Sequence, residues 1–231
     1  MLGLNLDPAT LVAVAIFLLV GFPVHEFSHA LAAYRLGDGT AKLFGRLTLN
    51  PLVHLDPYGS LLLVASAVLG GFFIGWAKPT PVNPSNLRGG RRAEAYVAAA
   101  GPLSNLVMAV LAAVALRLMV VIGLVVNDPV FGLIASSEPV RFVAGVVDFF
   151  IFINVALFIF NLIPIPPLDG SKVMFALMNP RTVWQIRPRL EQYGFLILIV
   201  VMFVPVINGT SLGGRVLFPL LNGIVSVLVG A

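Results

Sequence analysis

The sequence predicts an all-α polytopic membrane protein. The expected architecture is a helical bundle of about five to six membrane segments, with one re-entrant element and a small hairpin beside the buried polar residues. Three observations carry this. Of 231 residues, 59% are hydrophobic and only 10% are charged, against roughly 25% charged in soluble domains. Mean hydropathy is +1.01. Several apolar runs approach the roughly 20 residues needed to cross a bilayer. An ordinary soluble domain, a disordered chain and a disulfide-stapled module are thereby excluded. The length suits a single integral-membrane domain over 1–231, with a core at about 9–175 and C-terminal helices at about 193–230.

The first apolar segment is Ala9 to Tyr34. Residues 1–9 hold no Lys or Arg, and His25, Glu26 and His29 follow within the apolar run. A removable signal peptide would not contain them. Residues 35–59 are mixed, and Thr40 to Leu49 favours a strand or hairpin. Residues 60–77 are apolar but interrupted by Gly70, Gly71 and Gly75. Residues 78–92 are a polar linker with Lys78, Arg88, Arg91 and Arg92 and no acid. A long apolar stretch, 93–126, contains Gly101, Pro102, Asn105 and Arg117. A loop at 127–140 carries Asp128 and Glu138. Residues 141–163 run into Pro164, Pro166 and Pro167, and 170–192 are basic on balance. Apolar segments at about 193–207 and 214–230 complete the chain.

The net charge of +4 sits in short loops, where basic residues act as orientation signals. The expected surroundings are a lipid bilayer, and nucleic acid is not an expected partner. There is no cysteine, so a metal must be held by histidine, carboxylate or carbonyl.

His25-Glu26-Phe27-Ser28-His29 is an HExxH motif on a predicted helix. Spacing of i and i+4 puts both imidazoles on one face, where they can share one zinc ion. Glu26 lies about 100° around the helix, within reach of a water activated by that metal. The glutamate would take the water's proton and deliver it to a leaving amine, which is the chemistry of peptide hydrolysis. Three ionisable groups in five residues of an apolar run are costly in hydrocarbon, which favours a functional reading.

A catalytic zinc usually has three protein ligands. Candidates for the third are Asp169, His54, Asp56, Asp148 and Glu94. Asp169 stands out because it closes Asn161-Leu162-Ile163-Pro164-Ile165-Pro166-Pro167-Leu168-Asp169-Gly170. Three prolines in four positions break the helix. Broken backbone at membrane depth is tolerated only when it lines a cavity or is buried in protein.

These motifs resemble the site-2 protease family, the intramembrane zinc metalloproteases. HEFSH matches the family's HExxH, and Asn161 to Gly170 matches its second signature. Ala100 to Asn105 is similar to its Gly-Pro motif. Asn50 to Gly59 and Lys78 to Pro84 are similar to stretches of one bacterial and archaeal branch. The resemblance covers roughly 15–175. It implies His25, His29 and Asp169 as ligands of one zinc, Glu26 as general base and acid, and Asn161 as a possible oxyanion stabiliser. It implies a transmembrane protein substrate. Neither a PDZ insertion between the motifs nor a C-terminal CBS pair is expected. Control is therefore expected from a regulatory partner, from a different protease that trims the substrate first, or not at all.

His25, His29 and Asp169 can share a metal only at one membrane depth. Their segments must then run in the same direction, which fails if both 60–77 and 93–126 cross. The Gly-interrupted 60–77 is the better re-entrant candidate. Residues 35–59, 78–92 and 170–192 then share one basic, cytoplasmic side. This expects a multi-pass cell-membrane protein with its site in the bilayer, toward the cytoplasm.

His54 reads as loop structure or as a metal contact. Residues 40–49 read as a substrate-binding edge or as a surface hairpin. Asn105 suits helix–helix hydrogen bonding. Arg117 would snorkel to an interface, and Trp76 and Trp184 would anchor there. Two rival functions remain open on sequence: an ion or metal transporter, and a catalytically silent membrane scaffold.

Overall fold

The structure, a computed structural model, describes residues 7–69, 75–128, 132–207 and 210–230. Gly70 and Gly71, two of the expected interruptions, lie outside the described residues. The fold is mostly helical.

The chain enters through one 28-residue rod, Pro8–Arg35. It comprises α1 (Pro8–Ile16), a π-helical turn (Phe17–Gly21) and α2 (Phe22–Arg35). Asp7 starts it: its carboxylate accepts the Thr10 amide at 2.9 Å. Pro8 occupies the first turn, where its missing N–H costs nothing. The π turn ends two residues before Pro23, where a regular ladder would lose a bond. Val14, Phe17, Leu18 and Phe22 pack with Leu63 and Ile153.

Thr40–Leu43 is helix α3, not a strand. This corrects the expected hairpin over 40–49, and the cause is local. Asp38 Oδ1 accepts the Thr40 amide at 3.0 Å and the Thr40 hydroxyl at 2.5 Å, which starts a helical turn. Gly45, at φ +68, ends it. The Gly45 amide bonds Lys42 O, and the Arg46 amide bonds Ala41 O. This paired closure needs a left-handed residue. Helices α4 (Pro51–His54) and α5 (Pro57–Leu69) follow.

Residues on either side of α5 meet again. Leu55 forms an antiparallel bridge with Ala77, and the Lys78 amide donates to His54 O at 2.7 Å. After a 3-10 turn at Pro84–Asn86, α6 (Gly90–Val121) runs for 32 residues. A hairpin of β1 (Val125–Asp128) and β2 (Gly132–Ala135) stands where a plain loop is expected. Then come α7 (Glu138–Asn161), α8 (Asp169–Leu177), α9 (Pro180–Phe203), the short pair β3 (Pro205–Ile207) and β4 (Thr210–Ser211), and α10 (Leu212–Val229).

Among the described residues, three helices are long and apolar enough to span a membrane: Pro8–Arg35, α6 and α7. The sequence leads one to expect five to six. Helix α9 joins the basic stretch and the following apolar run into one element. Helices α6, α7 and α10 share a core of Ala109, Ala113, Leu116, Ile151, Val155 and Leu221. Small residues there let the backbones approach closely. Arg117 donates to Val227 O and Leu228 O. It caps the C-terminal carbonyls of α10, where the sequence suggests snorkelling.

Asp38 is fully buried and fastens the loops after α2. Its Oδ2 accepts the Asn83 amide at 2.7 Å, and its Oδ1 accepts the Asn86 side chain at 3.0 Å. Burial pushes its pKa up, but the bonds from Thr40, Asn83 and Asn86 outweigh this and hold it below the usual value. A depressed folded-state value stabilises fully above the unfolded pKa of about 3.9 and is lost as pH falls through the folded value. Amide-exchange protection over 36–46 should therefore persist at neutral pH and weaken below about pH 4. Asp38→Ala should lose it at neutral pH, and equal protection in that variant would count against this role.

Candidate metal centre

Helix α2 carries His25 and His29 one turn apart, facing α6. Residues Val97, Gly101 and Asn105 of α6 recur every four positions and form the opposing face. His25 Nδ1 lies 2.6 Å from Asn105 Oδ1, and His29 Nδ1 lies 2.7 Å from Val97 O. Both partners are acceptors, so each Nδ1 carries the proton and each Nε2 presents a lone pair. Asn105 is oriented in turn, since its Nδ2 donates to Asn154 Oδ1 at 2.8 Å. Asn154 donates to Phe150 O at 2.9 Å.

Gly101 allows this approach. A Cβ there would stand 2.2 Å from His29 Nε2 and 2.7 Å from His25 Nε2. No side chain fits at that position without displacing the imidazoles.

Asp169 arrives from the far end of the chain, in the first turn of α8. Its Oδ2 lies 3.1 Å from His29 Nε2 and 3.5 Å from His25 Nε2. The two Nε2 atoms are 3.1 Å apart. A tetrahedral zinc with bonds of about 2.0–2.1 Å needs ligand atoms about 3.3–3.4 Å apart. The trio matches this in spacing and in donor type: three lone pairs converge with no proton assigned between them. Among the described residues, His25, His29 and Asp169 form the group able to hold a metal.

Two contacts place α8. Lys172 Nζ lies 3.5 Å from Asp169 Oδ1. At the other end, the Arg91 guanidinium donates to Phe175 O, Ala176 O and Met178 O. This satisfies terminal carbonyls and opposes their partial negative charge.

The other acidic and histidine candidates are engaged elsewhere or stand apart. Glu94 pairs with Arg187 at 3.1 Å. Asp56 accepts the Tyr58 and Gly59 amides at the start of α5. His54 is fully buried, with Nε2 2.7 Å from Thr48 O, and closes the loop. Asp148 lies on α7, outside the trio. Asn161, the last residue of α7, donates one amide hydrogen to Leu157 O at 3.0 Å. Glu26 is 8% exposed, and its Oε2 accepts the Thr80 amide at 2.8 Å.

Residues 12–205 match the model of peptidase family M50. The chain belongs to this family. It is 40% identical over 210 residues to YwhC of Bacillus subtilis, named as a candidate zinc metalloprotease, covering 90% of this chain and 84% of that one. It is 33% identical over 211 residues to Rip2 of Mycolicibacterium smegmatis, similarly named, covering 88% and 73%. Rip2 of Mycobacterium tuberculosis is 30% identical over 216 residues, covering 91% and 76%. No solved structure matches. The M50 chain is thus a hydrolase with zinc as its cofactor, as the motifs suggest.

Sequence reasoning missed Asn154 and the Val97 carbonyl. Asn154 had a signal: it is the sole amide side chain between Phe149 and Phe160. The carbonyl had none. Asn105→Leu should weaken zinc binding by about 10- to 100-fold, as loss of a ligand's orienting partner does. Gly101→Ala should weaken it further. Chelator competition on purified protein measures both, and wild-type affinity in both variants would detach the histidines from α6.

Proposed function

We propose that this M50 protease is an intramembrane endopeptidase that cleaves peptide bonds within or next to transmembrane segments of other membrane proteins. The observation that carries this is the His25–His29–Asp169 trio beside Glu26. All four are only 6–8% exposed, and the trio sits between apolar helices long enough to span a bilayer.

In this reading His25, His29 and Asp169 hold the zinc. When bound, zinc supplies a Lewis acid that lowers the pKa of water to about 7 and polarises a carbonyl. Glu26 takes a proton from the attacking water and returns it to the leaving amine. Asn161 stands at the break between α7 and α8, and its amide steadies the negative charge that develops on the carbonyl oxygen. Asn105 and the Val97 carbonyl hold the imidazoles in the tautomer that frees Nε2.

The re-entrant reading of 60–77 is supported by the Leu55–Ala77 bridge, which brings the two flanks of this segment together. The Arg88 amide also bonds Leu36 O, so the C-terminal end of α2 lies beside the start of α6. Their Lys and Arg residues favour the cytoplasmic side, with the site nearer that face.

Purified wild type should hold about one zinc per chain, as a single three-ligand site requires. His25→Ala and Asp169→Ala should lose it. Glu26→Gln should keep the metal and lose cleavage by at least about 100-fold, the usual contribution of an acid–base group. Full zinc in Asp169→Ala would sever the two motifs, and metal flux through the membrane would indicate a transporter. Single cysteines in 78–92 and 170–192 should label from the same side, and opposite labelling would refute the topology.

A further inference from the structure

We propose that Thr80 is a positioning residue that fixes the Glu26 carboxylate in its working orientation, a role that rests on the general-base reading of Glu26. Residues 78–83 form no helix or strand and pass beside α2, meeting it at Glu26 and the loop after it at Asp38. The segment is tied down at both ends. Ala77 bridges to Leu55, and the Lys78 amide reaches His54 O. At the other end the Asn83 amide donates to Asp38 Oδ2 at 2.7 Å. Between these anchors Thr80 makes two bonds to one residue. Its amide donates to Glu26 Oε2 at 2.8 Å, and its hydroxyl donates to the Glu26 main-chain carbonyl at 3.0 Å.

The local sequence explains why this residue is presented so. Lys78 and Thr80 each precede a proline, which disfavours helical backbone and holds both extended. Pro79 and Pro81 have no N–H. Among residues 79–81, Thr80 therefore carries the sole amide hydrogen, and it points at the carboxylate. The hydroxyl sets the segment's register on α2, and the amide sets the side-chain torsions of Glu26.

A glutamate has three torsions, and a base must stand within about 2.6–3.2 Å of the proton it takes. Anchoring Oε2 leaves Oε1 as the oxygen that moves the proton. The water's oxygen bonds to the carbonyl carbon while its proton passes to Oε1. The same proton then goes to the amine nitrogen as the C–N bond breaks. One oxygen serves both steps, with no rotation of the carboxylate between them.

The first test is independent of substrate. Selective ¹⁵N-threonine labelling of the full chain in detergent reads amide exchange at Thr80. Exchange should be slow in wild type and at least tenfold faster in Glu26→Ala, and equal rates would overturn the proposal. The second uses fluorescein-labelled casein as the cleavage probe. Thr80→Val removes the hydroxyl's bond to the neutral Glu26 main-chain carbonyl and should lower kcat by about 2- to 10-fold. KM and zinc content should stay at wild-type values, and Thr80→Ser should restore kcat. Replacing the Thr80 amide by an ester should lower kcat by about 10- to 100-fold at full zinc occupancy. Wild-type kcat in both the valine and ester variants, or loss of zinc in either, would overturn the proposal. Glu26→Gln separates the two readings: cleavage retained there refutes the general base itself, whatever Thr80 does.

Discussion

Two imidazole lone pairs and a carboxylate oxygen meet within 3.5 Å of one another, away from water. Such a meeting is repulsive unless a cation sits among them, and low local dielectric makes the repulsion larger. Both imidazole protons are already committed on the far side of each ring. The surrounding helices are arranged around this constraint. Helix α6 offers two acceptors and a glycine, α7 steadies one of those acceptors, and α8 delivers the carboxylate. Within the apolar bundle, Asn105 and Asn154 pair with each other, and Asn154 and Asn161 donate to main-chain carbonyls. Two buried amides, Asn154 and Asn105, lead to His25 and link two long apolar helices to the first.

The long-range part of the arrangement is held by electrostatics at helix ends. Asp169 lies 140 positions after His29, so its place depends on where α8 begins. Arg91, at the start of α6, grips the end of α8, and Arg187 joins α9 to Glu94 of α6. The helix that orients the histidines therefore also holds the helix that brings Asp169. A shift of α6 would move all three donors together, which preserves their mutual spacing.

Much of the centre was legible in the sequence because its residues are costly where they stand. His25, Glu26 and His29 in an apolar run have few structural excuses, and the prolines before Asp169 announce broken backbone. Asn154 carries the same kind of signal more faintly, since an amide is cheaper than a charge in a membrane helix. The segment 40–49 misled because β-branched and aromatic residues there suggest a strand. Short-range capping by Asp38 and Gly45 outweighs that propensity. The hydrophobic run 93–126 marked α6 well, whereas α9 was hidden because its first half is basic and its second half apolar. Arg117 looked like a residue seeking water, yet a helix end from 110 positions later satisfies it. Contacts of that separation leave no local trace.

The π-helical turn at Phe17–Gly21 has a geometric consequence for the whole rod. Above it, α1 meets α7 through Ala9 and Ala13. Below it, α2 turns its histidines to α6. A wide turn holds one residue more than a regular one, and each residue is worth about 100° of rotation. The two halves of the rod are thus set out of phase by that single extra residue. Deleting it would leave an unbroken helix of nearly the same length and composition, aimed at the wrong neighbour on one side or the other.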